Sequence, residues 1–187
     1  MSEKSFEDTV SKFLTGDVQK NALDFAAYLR ENEITLEENE GVWVCDGAWD
    51  VIWVGTSNVS WVGADEPMPG SWTIFHSGYD HTKYDPDNIP TGKDGDKIGL
   101  CDLSADERLK EVAWEHVKPC FHFTSNGKEC GCGKQPGRRT TVFGKEFDNV
   151  CSATLQFINP DAETLEYVKK LMKLMKLGML KSNACSL

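Results

Sequence analysis

The run from Val42 to Val54 constrains this chain more than any other feature. Val42-Trp43-Val44-Cys45, the dipeptide Asp46-Gly47 and Ala48 to Val54 form a β-hairpin signal, because Asp-Gly supplies the positive φ angles of a type I′ turn. Alternation places Trp49, Val51 and Trp53 on one face, and Asp50, Ile52 and Val54 on the other. A sheet with an apolar face must be covered, and the flanking segments change to the helical period that can cover it.

Phe6, Val10, Phe13 and Leu14 share one face of a short helix expected over residues 5–15. A second helix is expected from Asp17, read as its N-cap, with Ala22, Leu23, Phe25, Ala26 and Leu29 forming its apolar stripe. Glu31 to Glu40 reads as an acidic, solvated connector. After the hairpin, strands are expected at Val59–Val62 and Trp72–His76, on either side of the loop Glu66-Pro67-Met68-Pro69-Gly70. Ser104 and Glu107 read as a capping box for a helix that Pro119 stops. Arg139–Phe143 and Ala153–Ile158 are strand-like. Asn159-Pro160 opens a helix with Leu165, Val168, Met172, Met175 and Met179 on one side, closed by Gly178.

The expected fold class is therefore α+β. An antiparallel meander of about four strands, plus one or two later ones, packs against helices that include a long C-terminal one. A chain of 187 residues with 40% hydrophobic content suits one domain, 1–187. Within it we expect a short N-terminal helix (1–16), a long mobile loop (77–103), a cysteine-bearing segment (119–151), a C-terminal helix (159–178) and a tail (179–187).

The net charge of −10 is unevenly divided: residues 1–100 carry 19 acidic against 7 basic side chains, and residues 101–187 carry 11 against 13. An acidic amino-terminal half repels nucleic acid, so the partner expected there is a small cationic or aromatic molecule. No run of eighteen apolar residues occurs, and Met1 to Lys12 lacks the apolar core of a secretory signal; the expectation is a cytoplasmic protein without a membrane partner.

Seven cysteines in a reducing compartment point to metal or redox chemistry before disulfides. Cys120, Cys130, Cys132 and Cys151, spaced C-x9-C-x-C-x18-C, are the candidate zinc ligands, with His122 as an alternative. Gly131 and Gly133 permit the backbone angles that turn both sulfurs toward one ion. Four ligands leave no open position, so such a zinc stabilises the fold and does not catalyse. Unlinked thiols, and a redox pair Cys130/Cys132 serving a thiol-dependent enzyme, are the competing readings. The second is strained by its single intervening residue. Cys45 reads as core packing.

Trp53, Trp61 and Trp72 with Asp65 form the candidate ligand site, since an indole beside a carboxylate suits a cation; the competing reading is that the rings fill the core. A further reading is a protein-interaction domain using the methionine face of the last helix. No G-x-S-x-G, H-E-x-x-H or phosphate loop is present.

Pro69-Gly70-Ser71-Trp72-Thr73-Ile74-Phe75, the cysteines after Trp114-Glu115-His116-Val117, and the run Phe143-Gly144-Lys145-Glu146-Phe147-Asp148-Asn149-Val150-Cys151 resemble a group of small proteins of anaerobic bacteria. The resemblance spans about residues 20–177 and implies the order helix, sheet, helix, cysteine segment, strand, helix. It implies no activity. In architecture alone, the order of elements is similar to small bacterial domains of unknown function that resemble effector-binding modules.

Overall fold

A computed structural model describes residues 5–39, 42–45, 50–55, 70–76, 105–120 and 138–176. Among these residues the fold is α+β, with four helices and one antiparallel sheet of seven strands. Helix α1 (Phe6–Phe13) starts at a true capping box, in which Ser5 and Asp8 satisfy each other's backbone N–H. Helix α2 (Gly16–Glu31) starts two residues before the expected Asp17 cap: Thr15 is the N-cap, and Asp17 lies in the first turn, where its charge favours the helix dipole.

The acidic connector is in part a strand. β1 (Leu36–Asn39) pairs antiparallel with β2 (Val42–Cys45) and keeps Glu37 and Glu38 exposed, as an edge strand that discourages further pairing does. β2 pairs with β3 (Asp50–Val54) in the register Trp43↔Ile52 and Val44↔Val51. A two-residue Asp46-Gly47 turn would instead place Trp43 opposite Asp50. The connection 46–49 itself lies outside the described residues.

β3 pairs directly with β4 (Trp72–His76), so no strand from 59–62 is interposed between them; the segment itself lies outside the described residues, as do 77–103 and 179–187. Helix α3 (Glu107–Glu115) is capped by Asp106, whose carboxylate accepts from the Leu109 N–H at 2.8 Å, and Ser104 is outside the described residues. The helix ends before Pro119. His116 is its C-cap, and Val117–Pro119 is a short strand, β5, that the helical reading of Val117 missed. Proline suits it, since a strand-end N–H need not join the ladder.

β6 (Arg138–Val142) and β7 (Lys145–Ile158) place two strands inside and beyond the expected cysteine-bearing segment. β7 has fourteen residues and begins eight before Ala153. It organises the sheet: Leu155 lies between His76 of β4 and Val117 of β5, while Val150 lies between Pro119 of β5 and Arg138 of β6. β4 and β6 thus share one edge of β7, and β5 takes the other.

The final helix, α4, is described over Ala162–Lys176, so the long helix expected over 159–178 is not shown; 177–178 lie outside the described residues. Asn159-Pro160 does not open it. Asp161 does, accepting from the Thr164 N–H at 2.7 Å, a bond that holds its carboxyl below the usual carboxylate range. Asn159 instead adopts φ 45° and accepts the Trp72 N–H at 2.8 Å, while its own N–H donates to the Trp72 carbonyl at 2.9 Å. Asn159→Ala should therefore cost about 2–3 kcal/mol, from a stranded β4 donor and an αL residue without asparagine's local bonding. Asn159→Gly should recover only the strain. Urea unfolding of the pair separates the two contributions.

The core lies on one sheet face, where Trp43, Cys45, Ile52, Val54, Trp72, Ile74, Leu155 and Phe157 meet buried residues of all four helices. Leu165, Val168 and Met172 of the methionine-bearing stripe belong to it. The part of that stripe with described side chains is thus committed to packing within the chain.

Candidate functional site

The cysteine end of the sheet is set by an irregularity between β5 and β7. Their register changes between Val117↔Leu155 and Pro119↔Val150, and Asn149 takes φ 57°. Such a bulge bends the strand and re-aims its side chains. Beyond it, the Cys120 N–H donates to the Asn149 carbonyl at 2.7 Å, and the Asn149 side-chain amide donates back to the Cys120 carbonyl at 3.0 Å. Cys120 is thereby fixed opposite a residue two positions from Cys151, and both cysteines are buried. Cys130, Cys132 and His122 lie outside the described residues. Among the described residues no three His, Cys, Asp or Glu side chains gather to hold a metal.

The tryptophans divide between the two faces of the sheet. Trp72 pairs with Val54, and both lie in the helix-covered core; the Trp72 ring tilts against Phe25 of α2 at 5.8 Å. Trp53 pairs with Thr73, one residue out of phase, and so stands on the opposite face. The structure therefore does not bring Trp53 and Trp72 together, and Trp61 and Asp65 lie outside the described residues. His76 lies on the core face, in register with Leu155.

The second face carries a cation that sequence reasoning missed. Lys118 of β5 reaches across β7, donates to Gln156 Oε1 at 3.0 Å and places its ammonium 4.8 Å from the centroid of Phe75 on β4. It is only 6% exposed. The helical reading of Val117 hid it; the signal was Pro119, which marks an extended residue before it. Trp53 is buried here too, and among the described residues its indole N–H finds no acceptor. Around them Val44, Val51, Phe75 and Gln156 are half-buried, and Ile158 is 49% exposed.

A groove of about 300 Å³ lies between α2 and α4, lined by Asp24, Tyr28, Glu31, Glu166, Lys169 and Lys173 among others. Burial pulls the Lys169 pKa down, but hydrogen bonds to Asp24 at 2.6 Å and Glu166 at 2.8 Å outweigh this and raise it. The amine stays protonated and ion-paired, which suits helix packing and not nucleophilic chemistry. The Tyr28 hydroxyl donates to the Lys169 carbonyl at 2.9 Å and ties the two helices together.

Fold and faces together define an α+β protein with an open antiparallel sheet, helix-covered on one side, with a lysine, indole and phenyl cluster on the other. Comparison with protein-family models, with characterised proteins and with solved structures finds no match, so the functional reading stands on these residues. Among the described residues no helix is long and apolar enough to cross a membrane.

Proposed function

We propose that this protein is a non-catalytic binding module of the bacterial cytoplasm, its cysteine end fixed by a structural zinc and its second sheet face receiving a small molecule. The observation that supports the zinc half is the reciprocal bonding of Cys120 and Asn149, which fastens one buried cysteine to the strand that carries another, Cys151, from a distant part of the chain. Cys130 and Cys132, from the segment between them, complete a four-thiolate set in this proposal. A reducing cytoplasm keeps such thiols available for a metal. Four protein ligands close the coordination sphere, which is why the metal is assigned to stability and not to a reaction.

Metal analysis of freshly purified protein should find one zinc per chain. Cys120→Ser and Cys151→Ser should each lower its retention by more than tenfold under a competing chelator, and thiol titration should release four additional reactive sulfurs when the metal is stripped. Protein that is metal-free as isolated, does not take up added zinc, and has all its thiols titrating at once would end the zinc proposal.

A further inference from the structure

The ammonium of Lys145 is shared by two aromatic rings. It stands over the Trp114 ring at 5.1 Å from the centroid and over the Phe147 ring at 5.2 Å, and among the described residues no acidic side chain pairs with it. We infer that Trp114 and Phe147 form a surface cleft for the quaternary ammonium group of a small organic cation, and that Lys145 is a built-in occupant which the ligand displaces. The inference goes beyond the reading above, since both rings pack against the helix-covered core and not on the second sheet face.

Two elements bring the three side chains together. Phe143 at φ 46° and Gly144 at φ 81° reverse the chain in two residues, which sets Lys145 opposite Val142 at the start of β7. Lys145 and Phe147 then fall on one face of that strand by alternation. Trp114 comes from the last turn of α3, and its indole N–H donates to the Val142 carbonyl at 2.7 Å. That bond satisfies the one polar atom of the indole and fixes its orientation, so the ring face is left for a cation. Trp114 and Phe147 are half-buried against the core, while Lys145 is exposed and free to swing away.

Hydration selects the ligand. An exposed lysine is a weak partner for a ring, because its ammonium is strongly hydrated and its long stem loses rotamer freedom when held. A quaternary ammonium has no N–H to withdraw from water, and its methyl groups bury apolar surface against both rings. It therefore outcompetes Lys145 for the same two faces. The chain's net charge of −10 draws cations, and Glu115 and Glu146, exposed beside Trp114 and Lys145 in the sequence, add to that attraction.

Three probes separate charge from shape: choline, its neutral analogue with a tert-butyl group in place of trimethylammonium, and its unmethylated counterpart ethanolamine. Each is titrated into the intact protein and followed by NMR at the indole N–H of Trp114. Choline should bind about fivefold more tightly than either of the others, or better. Lys145→Ala removes the occupant from an exposed position and should tighten choline by about 3–10-fold. Phe147→Leu keeps an apolar side chain against the core and should weaken choline by about threefold. Equal affinity for the neutral analogue would overturn recognition of charge, and equal affinity for ethanolamine would overturn the preference for a quaternary ammonium. Unchanged choline affinity in Lys145→Ala would overturn the role of Lys145 as occupant; no saturable shift in that variant would overturn the site as a whole.

Discussion

Trp72→Ala is expected to remove about 3–5 kcal/mol of stability, the range for truncating a fully buried aromatic. The ring is completely enclosed, on the core face of β4 beside Ile74 and against Phe25 of α2. Alanine would leave a cavity where sheet and helix meet, and the rigid strands on either side cannot close it. Domains are stable by only about 5–15 kcal/mol, so the variant should unfold at much lower urea. Trp72→Phe is the informative partner. The indole N–H of Trp72 is buried without an acceptor among the described residues, so phenylalanine removes a costly donor while giving up part of the ring. The two effects oppose, and the loss should stay below about 1.5 kcal/mol. A loss for Trp72→Ala below about 1 kcal/mol would place the ring outside the core and invert the assignment of sheet faces.

The sheet-and-helix plan was legible because period-two and period-3.6 patterns are written locally: Phe6, Val10 and Leu14, or Trp72 and Ile74, reveal their buried face through spacing alone. What remained hidden depends on partners far along the chain. The acidic residues Glu37 and Glu38 look like solvated loop, and only the pairing with β2 makes them strand. Val117 fits a helical stripe, and the ladder with Leu155 pulls it into β5. Asn159 has the side chain of an N-cap, yet its amide is taken by the backbone of Trp72, so capping of α4 passes to Asp161.

The candidate site was legible to the same extent. Cys120 and Cys151 could be grouped from composition and redox chemistry. The attachment of Cys120 to β7 runs through Asn149, at an irregularity that no short-range pattern announces. The tryptophans were grouped by proximity in sequence, and a sheet separates neighbours by face: Trp53 and Trp72 differ by one step of register and lie on opposite sides. Lys118 escaped notice because a lysine before a proline carries no signal until a strand, β7, gives its stem something to cross.

Gly55→Ala should cost about 2–5 kcal/mol, from two separable causes. Gly55 takes φ 70°, where a β-carbon costs about 1–2 kcal/mol. That carbon would also stand 2.7 Å from Cβ and 2.8 Å from Cγ of Phe13, at the point where α1 meets the end of β3. Overpacking of this kind costs about 1–3 kcal/mol. The backbone cannot yield easily, because the Gly55 N–H is bonded to the Ser71 carbonyl at 2.8 Å and holds β3 to the start of β4. Relief must come from α1, which is attached to the core through Phe6, Val10 and Leu14. Gly144→Ala isolates the first cause: φ is 81° there, and nothing lies within 4 Å of the added carbon. The excess loss at Gly55 measures the contact with α1. Hydrogen exchange should show α1 amides losing protection in Gly55→Ala while those of α4 change only with global stability. Equal losses at the two glycines, with α1 still protected, would mean that the first helix does not rest on β3.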